Sequence, residues 1–353
     1  MFVVKEILII RLSSIGDVIH CTPVARSLKD AWPDCRITWM VGGVSADLLQ
    51  ENPDIDEIMI WSREQFELHL REFNFRAAWK MWHDLKNQLK DRHFYAVLDI
   101  HGLFLTGMIA KLVKTEKRIG LRGAKELNSL FMTETGEACS KHITDKYLAV
   151  LACLGIQTVN HQMRLVVPED SRQFAGTLLQ EHAVLPQEKI AVFILGTTWV
   201  TKNWPVAFFI ETAKLLSQDF RIILCGGKAE RAMGEEVREK AGVHVINAIG
   251  RTSLLEMAAI IEQASVVVSG DTGPLHMAGA LDIPTVSLFG PTDPAIYAPR
   301  GEQHETLFGR LPCSYCHKRR CPKGERVCME SITPEAVVHK VYTVAAKEVH
   351  HSK

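Results

Sequence analysis

Short apolar runs alternate with amphipathic segments along the whole chain, which predicts strands and helices in regular succession. An apolar run at 6–11 comes before a helical pattern at 17–32, and a second apolar run follows at 36–41. Short runs of this kind are typical of parallel strands that are buried on both faces. The same succession starts again with the apolar run 189–195. The pattern therefore predicts an α/β protein built from two similar, doubly wound halves.

The length of 353 residues suits two domains of ordinary size. We predict a first domain at 1–165 and a second at 166–332, and we expect a last helix at 333–353 to return to the first domain. In both halves, small polar residues follow the strands. Because the carboxyl ends of parallel strands meet at one edge of a sheet, these loops are expected to converge there, with the two domains facing each other across a cleft.

Composition excludes several classes of protein. Lys+Arg and Asp+Glu number 41 each, so the balance of charge gives no support to a nucleic-acid partner. The hydrophobic content of 47% is that of a globular protein, and no stretch approaches 18 uninterrupted apolar residues. We therefore expect no membrane span and no signal peptide. Five of the nine cysteines are scattered through apparent strands and helices, as in a reducing cytoplasm.

The most informative stretch is 264–294, which predicts a strand, a turn, a short helix and a second strand. Its turn reads Asp271-Thr272-Gly273-Pro274, with a capping side chain, a glycine and a proline suited to a first helical turn. Backbone N–H groups at such a turn bind phosphate readily. A capped turn without a ligand is the alternative. The first βα loop, by contrast, lacks the glycine triplet of dinucleotide-binding proteins, which disfavours a nicotinamide enzyme.

The segment 63–92 interleaves aromatic with basic residues along a helical pattern. One interpretation is contact with an anionic lipid surface, and the other is a covering helix with one solvated face. The residues in question are Phe73, Phe75, Trp79, Trp82, Arg71, Arg76, Lys80, Lys86 and Lys90.

Four cysteines cluster near the end of the chain, within the segment 313–328. A structural zinc site held by four thiolates is one interpretation; disulfides, free thiols and an iron–sulfur cluster are the others. The positive charge around the cysteines is also consistent with an anionic acceptor. The four are Cys313, Cys316, Cys321 and Cys328.

Four strings in this order resemble the hallmarks of one enzyme family. They are RLSSIGDVIH at 11–20, TWVTKNWP at 198–205, SGDTGPLH at 269–276 and FGPTDP at 289–294. Together they resemble glycosyltransferase family 9, the ADP-heptose:lipopolysaccharide heptosyltransferases. The resemblance implies a GT-B fold, an acceptor-binding first domain and a second domain that binds the nucleotide sugar. It also implies inverting transfer of heptose to the inner core of lipopolysaccharide, without a catalytic metal or other cofactor.

The resemblance assigns roles to individual residues. Asp17 is similar in position to the catalytic base, and Lys202 to the lysine at the leaving diphosphate; a helix cap and a surface lysine are the plain alternatives. The donor-binding candidates are Thr197, Thr198, Glu230, Asp271, Thr272, Gly273 and His276. The acceptor-side candidates are Ser13, Ser14, Gly16, His20, His101 and His142, and the three histidines are also consistent with structural positions.

The expected partners are an ADP-heptose donor and a lipopolysaccharide acceptor. We expect a monomeric enzyme on the cytoplasmic face of the inner membrane. Another nucleotide sugar stays open, because a fold does not fix the sugar. A non-catalytic nucleotide- or glycan-binding protein, in which the cysteine cluster mediates an interaction, is the alternative from a different class.

Overall fold

The apolar runs form the strands of two separate sheets. The computed structural model describes residues 4–158, 160–242, 244–323 and 326–346. Within these ranges the chain forms two units that divide between Val166 and Val167. Each unit contains one sheet of six strands, and every pair of neighbouring strands is parallel.

The first unit holds its sheet in the order β3-β2-β1-β4-β5-β6. Its central strand β1 is buried from Ile7 to Ile10, as expected for a run without alternation. The strands are β1 (Glu6–Ile10), β2 (Arg36–Val41), β3 (Glu57–Ile60), β4 (Ala96–Asp99), β5 (Lys117–Leu121) and β6 (Glu134–Gly136). The helices are α1 (Ile15–Ala31), α2 (Gly43–Ala46), α3 (Arg63–Arg71), α4 (Phe75–Leu89), α5 (Phe104–Leu112) and α6 (Ile143–Leu148).

The second unit repeats this order as β9-β8-β7-β10-β11-β12. Its strands are β7 (Lys189–Ile194), β8 (Phe220–Cys225), β9 (Val245–Asn247), β10 (Val266–Gly270), β11 (Thr285–Phe289) and β12 (His304–Phe308). Its helices are α7 (Glu169–Glu181), α8 (Val206–Leu216), α9 (Arg231–Ala241), α10 (Leu254–Glu262), α11 (Gly273–Ala280), α12 (Pro294–Tyr297), α13 (Val327–Glu330) and α14 (Pro334–Ala345).

The sheet order places a switch point in each unit. Numbered within its own unit, each sheet reads 3-2-1-4-5-6, and the chain leaves the first and fourth strands in opposite directions. Ligands of open α/β sheets bind beyond the carboxyl ends of these two strands. In the first unit the relevant loops follow β1 and β4. In the second unit they follow β7 and β10.

The last helix, α14, contributes to the core of the second unit. Val337, Val341 and Val344 of α14 are buried in the core of the second unit, together with residues of α8 and of strands β10 and β11. Trp204 Nε1 donates to the carbonyl of Ile332, just before this helix, at 2.9 Å. The described part of this helix therefore packs in the core of the second unit, and residues 347–353 lie outside the described ranges.

The basic and aromatic segment forms two helices rather than one. α3 ends at Arg71 and α4 begins at Phe75, because Phe73 adopts a positive φ of 57° and the Asn74 side chain caps α4 by accepting from Ala77 N. Within the described ranges, none of the helices has both the length and the apolar character needed to cross a membrane.

Candidate active site

Asp17 lies in the first turn of α1, beyond the carboxyl end of β1. Its Oδ2 atom accepts hydrogen bonds from Ser14 Oγ at 2.9 Å and from Ser14 N at 3.3 Å, so Ser14 and Asp17 close a capping box. A carboxylate in the first helical turn is also stabilised by the helix dipole. The side chain is 28% exposed, so Asp17 is held firmly while remaining open to a ligand.

Two residues that the sequence analysis missed complete the surroundings of this carboxylate. Arg11 NH2 lies 2.6 Å from Asp17 Oδ2, and Tyr147 OH donates to Asp17 Oδ1 at 2.5 Å. The Arg11 guanidinium also lies over the Tyr147 ring, 4.8 Å from its centroid. Arg11 stands inside the first motif and could have been noticed there. Tyr147 comes from α6, and no sequence pattern connects it to Asp17.

The network fixes the charge of Asp17. Burial alone would raise the pKa of this carboxyl, but the charge of Arg11 and the hydrogen bonds from Tyr147 and Ser14 outweigh burial and hold the pKa well below its usual value. Burial, in turn, raises the pKa of the Tyr147 phenol. Asp17 is therefore an ionised acceptor throughout the neutral range, and both of its oxygens already have donors.

His101 lies at the same switch point, in the loop after β4. Its backbone N–H donates to the carbonyl of Ile10 at 3.0 Å, and its Nε2 accepts from Arg63 NH1 at 3.1 Å. Burial, aided by the charges of Arg11 and Arg63, lowers the pKa of His101 to about 3. This ring is therefore neutral near pH 7, and the structure brings it to the loop edge that also carries Asp17.

The other acceptor-side candidates divide into two groups. Ser13, Ser14 and Gly16 belong to the loop and first turn around Asp17. His20 and His142 are buried between α1 and α6, with their ring centroids 5.7 Å apart. Their position is that of packing residues.

Lys202 and Asp271 meet at the switch point of the second unit. Lys202 ends the 3₁₀ turn Val200–Lys202 after β7, and Asp271 follows β10. Lys202 Nζ lies 2.6 Å from Asp271 Oδ2, and the two side chains are 13% and 6% exposed. Thr292, after β11, donates its hydroxyl to the same carboxylate oxygen at 2.8 Å. Both partners are among the site residues expected from the sequence, but their pairing is not evident from it.

His276 completes this buried group from the first turn of α11. Its Nε2 lies 3.6 Å from Asp271 Oδ1. Burial would raise the pKa of Asp271, but the hydrogen bond with His276 and the charge of Lys202 outweigh burial and keep the pKa well below its usual value. In this structure His276 therefore helps to keep Asp271 ionised.

The remaining donor candidates stand on the neighbouring loops. Thr272 is the N-cap residue of α11 and Gly273 is the first residue of the helix, as predicted. The N-terminus of the helix therefore lies at this turn. Thr197 Oγ1 lies 2.7 Å from the carbonyl of Trp199 and shapes the loop that leads to Lys202. Thr198 is exposed. Glu230 packs against Gly196, where a Cβ atom would lie 2.3 Å from Glu230 Cγ.

The four clustered cysteines lie around one cavity without being bonded to one another. Cys313, Cys316, Cys321 and Cys328 are all free, and they line one small cavity of about 70 Å³. In the part of the chain that the structure describes, no group of three or more His, Cys, Asp or Glu side chains is arranged to hold a metal ion. The prediction of a structural zinc is therefore not supported.

Comparison with known proteins agrees with the fold and the motifs. The chain matches the model of glycosyltransferase family 9 (heptosyltransferase) over residues 82–326. It is 29% identical to lipopolysaccharide heptosyltransferase 1 of Pseudomonas aeruginosa over 322 residues, which cover 90% of this chain and 87% of that protein.

Solved structures share the whole fold. A family 9 glycosyltransferase from Veillonella parvula superposes with a TM-score of 0.85 at 23% identity, covering 98% of this chain and 99% of that one. The Escherichia coli heptosyltransferase WaaC with ADP superposes with a TM-score of 0.74 at 24% identity, covering 96% and 100%.

Two parallel α/β sheets of six strands, shared along the whole chain with solved heptosyltransferases, define a protein of the GT-B class. Within that class, the chain belongs to glycosyltransferase family 9, whose model covers more than half of its length.

Proposed function

We propose that this protein transfers heptose from ADP-L-glycero-D-manno-heptose to the inner core of lipopolysaccharide, onto Kdo or an earlier heptose. The observation that carries the proposal is the edge of the second sheet, where Lys202 approaches the N-terminal turn of α11 through Asp271. A lysine and a helix N-terminus at one edge suit a diphosphate. The name of the Pseudomonas relative and the ADP in the Escherichia coli structure support the same choice.

The second domain stabilises the leaving group in this proposal. As the bond between the anomeric carbon and the diphosphate breaks, negative charge grows on the departing ADP. The Lys202 ammonium, which Asp271 holds in place at 2.6 Å, and the N–H of Gly273 oppose this charge. Thr197, Thr198 and Thr272 are the candidates for further phosphate contacts, and Glu230 is the candidate for the ribose hydroxyls. Lysine in this role supplies the counter-charge that a catalytic metal would otherwise provide.

The first domain supplies the base. The acceptor hydroxyl oxygen attacks the anomeric carbon from the face opposite the diphosphate, and its proton passes to Asp17, so the configuration inverts. Because Arg11 and Tyr147 make Asp17 a weak base, the proton moves late, when the hydroxyl has already become acidic. His101, neutral and beside the same loop, is a candidate for a hydrogen bond to the acceptor. Each chain contains all of these groups, and we expect a monomer.

Turnover tests the proposal against the binding-protein alternative. The protein is incubated with ADP-heptose and a panel of truncated lipopolysaccharides, and a mass gain of one heptose is scored. Asp17→Asn should keep donor affinity and lose roughly 10²- to 10⁴-fold in rate. Asp30→Asn, at an exposed position of the same helix, is the matched control. No mass gain with any acceptor, or full activity in Asp17→Asn, would contradict the proposal.

We place the enzyme at the cytoplasmic face of the inner membrane, through the turn between α3 and α4. Phe73 and Trp79 are 79% and 65% exposed there, and Phe75 is exposed as well. The exposed cations Arg71, Arg76 and Lys80 flank them. Exposed aromatics beside cations suit the interface of an anionic bilayer. A lipid-linked acceptor would be reached from such a position.

Vesicle sedimentation tests this location. The wild-type protein should sediment with vesicles that contain phosphatidylglycerol and much less with phosphatidylcholine alone. Phe75→Ser with Trp79→Ser should reduce the bound fraction severalfold, whereas Leu215→Ser, at an exposed apolar position of α8, should not. Equal binding of all three proteins would refute the assignment.

A further inference from the structure

A basic cavity lies beside the candidate donor site of the second unit. It has a volume of about 650 Å³, within the range of sites that take small molecules. Its lining includes the three arginines Arg319, Arg320 and Arg326, together with Thr201 and Glu330. The arginines belong to the cysteine-containing segment, whose positive charge the donor site described above does not use.

The three guanidinium groups have little to neutralise them. Within the described ranges they take part in no ion pair and no side-chain hydrogen bond, and Glu330 is the one carboxylate in the lining, against three positive charges. Like charges in a concave surface repel each other and raise the local concentration of anions. Guanidinium groups also match carboxylate and phosphate in shape, through paired hydrogen bonds. The cavity therefore has the chemistry of an anion site.

The cavity is built into the loops around Lys202. The buried Thr201 donates its hydroxyl to the carbonyl of Lys318 at 2.8 Å, and His317 N donates to the carbonyl of Pro291 at 3.0 Å. These bonds tie the basic segment to the turn that ends at Lys202 and to the loop after β11. The segment is thus held in place on both sides.

Trp199 connects the cavity to the donor site. Lys202 Nζ lies 4.5 Å from the centroid of its ring, and the Arg319 guanidinium carbon lies 5.5 Å from the same centroid. Cations so placed are attracted to the ring face. Arg319 of the cavity and Lys202 of the donor site therefore both lie against the same indole ring.

We propose that this cavity binds an anionic sugar of the acceptor, one that carries a carboxylate or a phosphate, next to the hydroxyl that receives heptose. This inference rests on the proposed function. The donor diphosphate already has Lys202 and the α11 turn, and the cavity is larger than a diphosphate requires. The segment would then select acceptors by charge, while the loops around Lys202 hold the donor.

Steady-state kinetics of the full chain tests the site. Arg319→Gln with Arg320→Gln should raise the KM for a lipopolysaccharide acceptor roughly tenfold or more, since each loses charge-assisted hydrogen bonds. The kcat and the KM for ADP-heptose should stay within about twofold. Arg310→Gln, at an exposed position just before this segment and outside the cavity lining, is the matched control. Thermal unfolding at the wild-type temperature shows that each variant is folded.

A second acceptor identifies the partner of the arginines. The same acceptor with its phosphates removed and its carboxylates esterified should bind the wild type about as weakly as the charged form binds the double variant. Removing the arginine charges and the acceptor charges together should then raise the acceptor KM little more than removing either set alone. Additive losses, or an unchanged acceptor KM in the double variant, would overturn the proposal. A change in the KM for ADP-heptose alone would assign the cavity to the donor and overturn it as well.

Failure of the proposed function gives a different result. In that case no acceptor gains mass, and calorimetric titration of the charged and neutralised acceptors into the wild type, the double variant and Arg310→Gln still measures the cavity. Binding that is lost only when the arginines or the ligand charges are removed supports the site. Equal binding in all combinations refutes it.

Discussion

Replacing Lys202 by methionine should destabilise the second unit through Asp271. The change keeps most of the side-chain length but removes the ammonium 2.6 Å from a carboxylate that is 6% exposed. Removing one partner of a buried ion pair costs about 3–5 kcal/mol. Asp271 keeps the Thr292 hydroxyl and His276, and Lys202 itself is 13% exposed, so we expect about 2–3 kcal/mol.

Thermal unfolding at several pH values measures this effect. For a unit of this size, Val167–Lys353, such a loss lowers Tm by about 4–12 °C. The pKa of Asp271 is depressed in the fold, so its stabilising contribution is present above its ordinary value of about 4 and is lost as the pH falls towards the depressed value. The gap between the wild type and Lys202→Met should therefore be widest near neutral pH and should narrow below about pH 4.

Two further variants decide what the measurement means. Lys214→Met, at an exposed position of α8, should leave Tm within about 1 °C. Lys202→Met with Asp271→Asn should lose less stability than the two single variants added together, because the double variant leaves no unpaired charge. If Lys202→Met unfolds at the wild-type temperature at neutral pH, the pair does not stabilise the fold and the reasoning fails.

Three other predictions follow from specific contacts. Arg11→Gln should shift the acid limb of the kcat/KM profile to higher pH, because the pKa of Asp17 loses the charge that lowers it most. Tyr147→Phe should shift the limb in the same direction by less, and an unmoved limb in both variants would show that Asp17 does not control the rate. Gly309→Ala should cost more than about 2 kcal/mol in urea unfolding, since its Cβ would lie 1.7 Å from the carbonyl oxygen of Cys328, whereas Gly176→Ala, in open space on α7, should be neutral or stabilising. Trp204→Phe should lower the free energy of unfolding by about 1–3 kcal/mol, because the buried carbonyl of Ile332 loses its donor; calorimetry that finds no change would show that this bond is dispensable.

Features that depend on neighbouring residues could be predicted from the sequence. The apolar run at 6–11 becomes β1 (Glu6–Ile10), and the turn at Thr272 and Gly273 begins α11, because burial of an apolar run and helix capping are both local effects. The α/β class and the repeated strand order follow from the same patterns. The loops that carry Asp17, Lys202 and Asp271 were therefore identified correctly as strand-end loops.

Long-range pairings could not be predicted in this way. Tyr147 reaches Asp17 across 130 residues of sequence, and Lys202 reaches Asp271 across 69, because the order of the strands sets these contacts and the local pattern does not. The apolar face of α14 indicated burial, but an amphipathic pattern does not say against which domain. The cysteine spacing likewise left the arrangement of the sulfurs open, and among the described residues the structure gives no support to the zinc interpretation.

Because α14 packs within the second unit, we expect that the second half of the chain can be exchanged as one piece between family 9 members. Its own final helix closes the hydrophobic face of β10 and β11, and all the loops that we assign to the nucleotide sugar lie between Gly196 and Thr292. A chimaera that joins residues from Val167 onward to the first half of another family 9 member would carry its core intact. The second half should determine the preference for the donor sugar, whereas both halves should determine the preference for the acceptor.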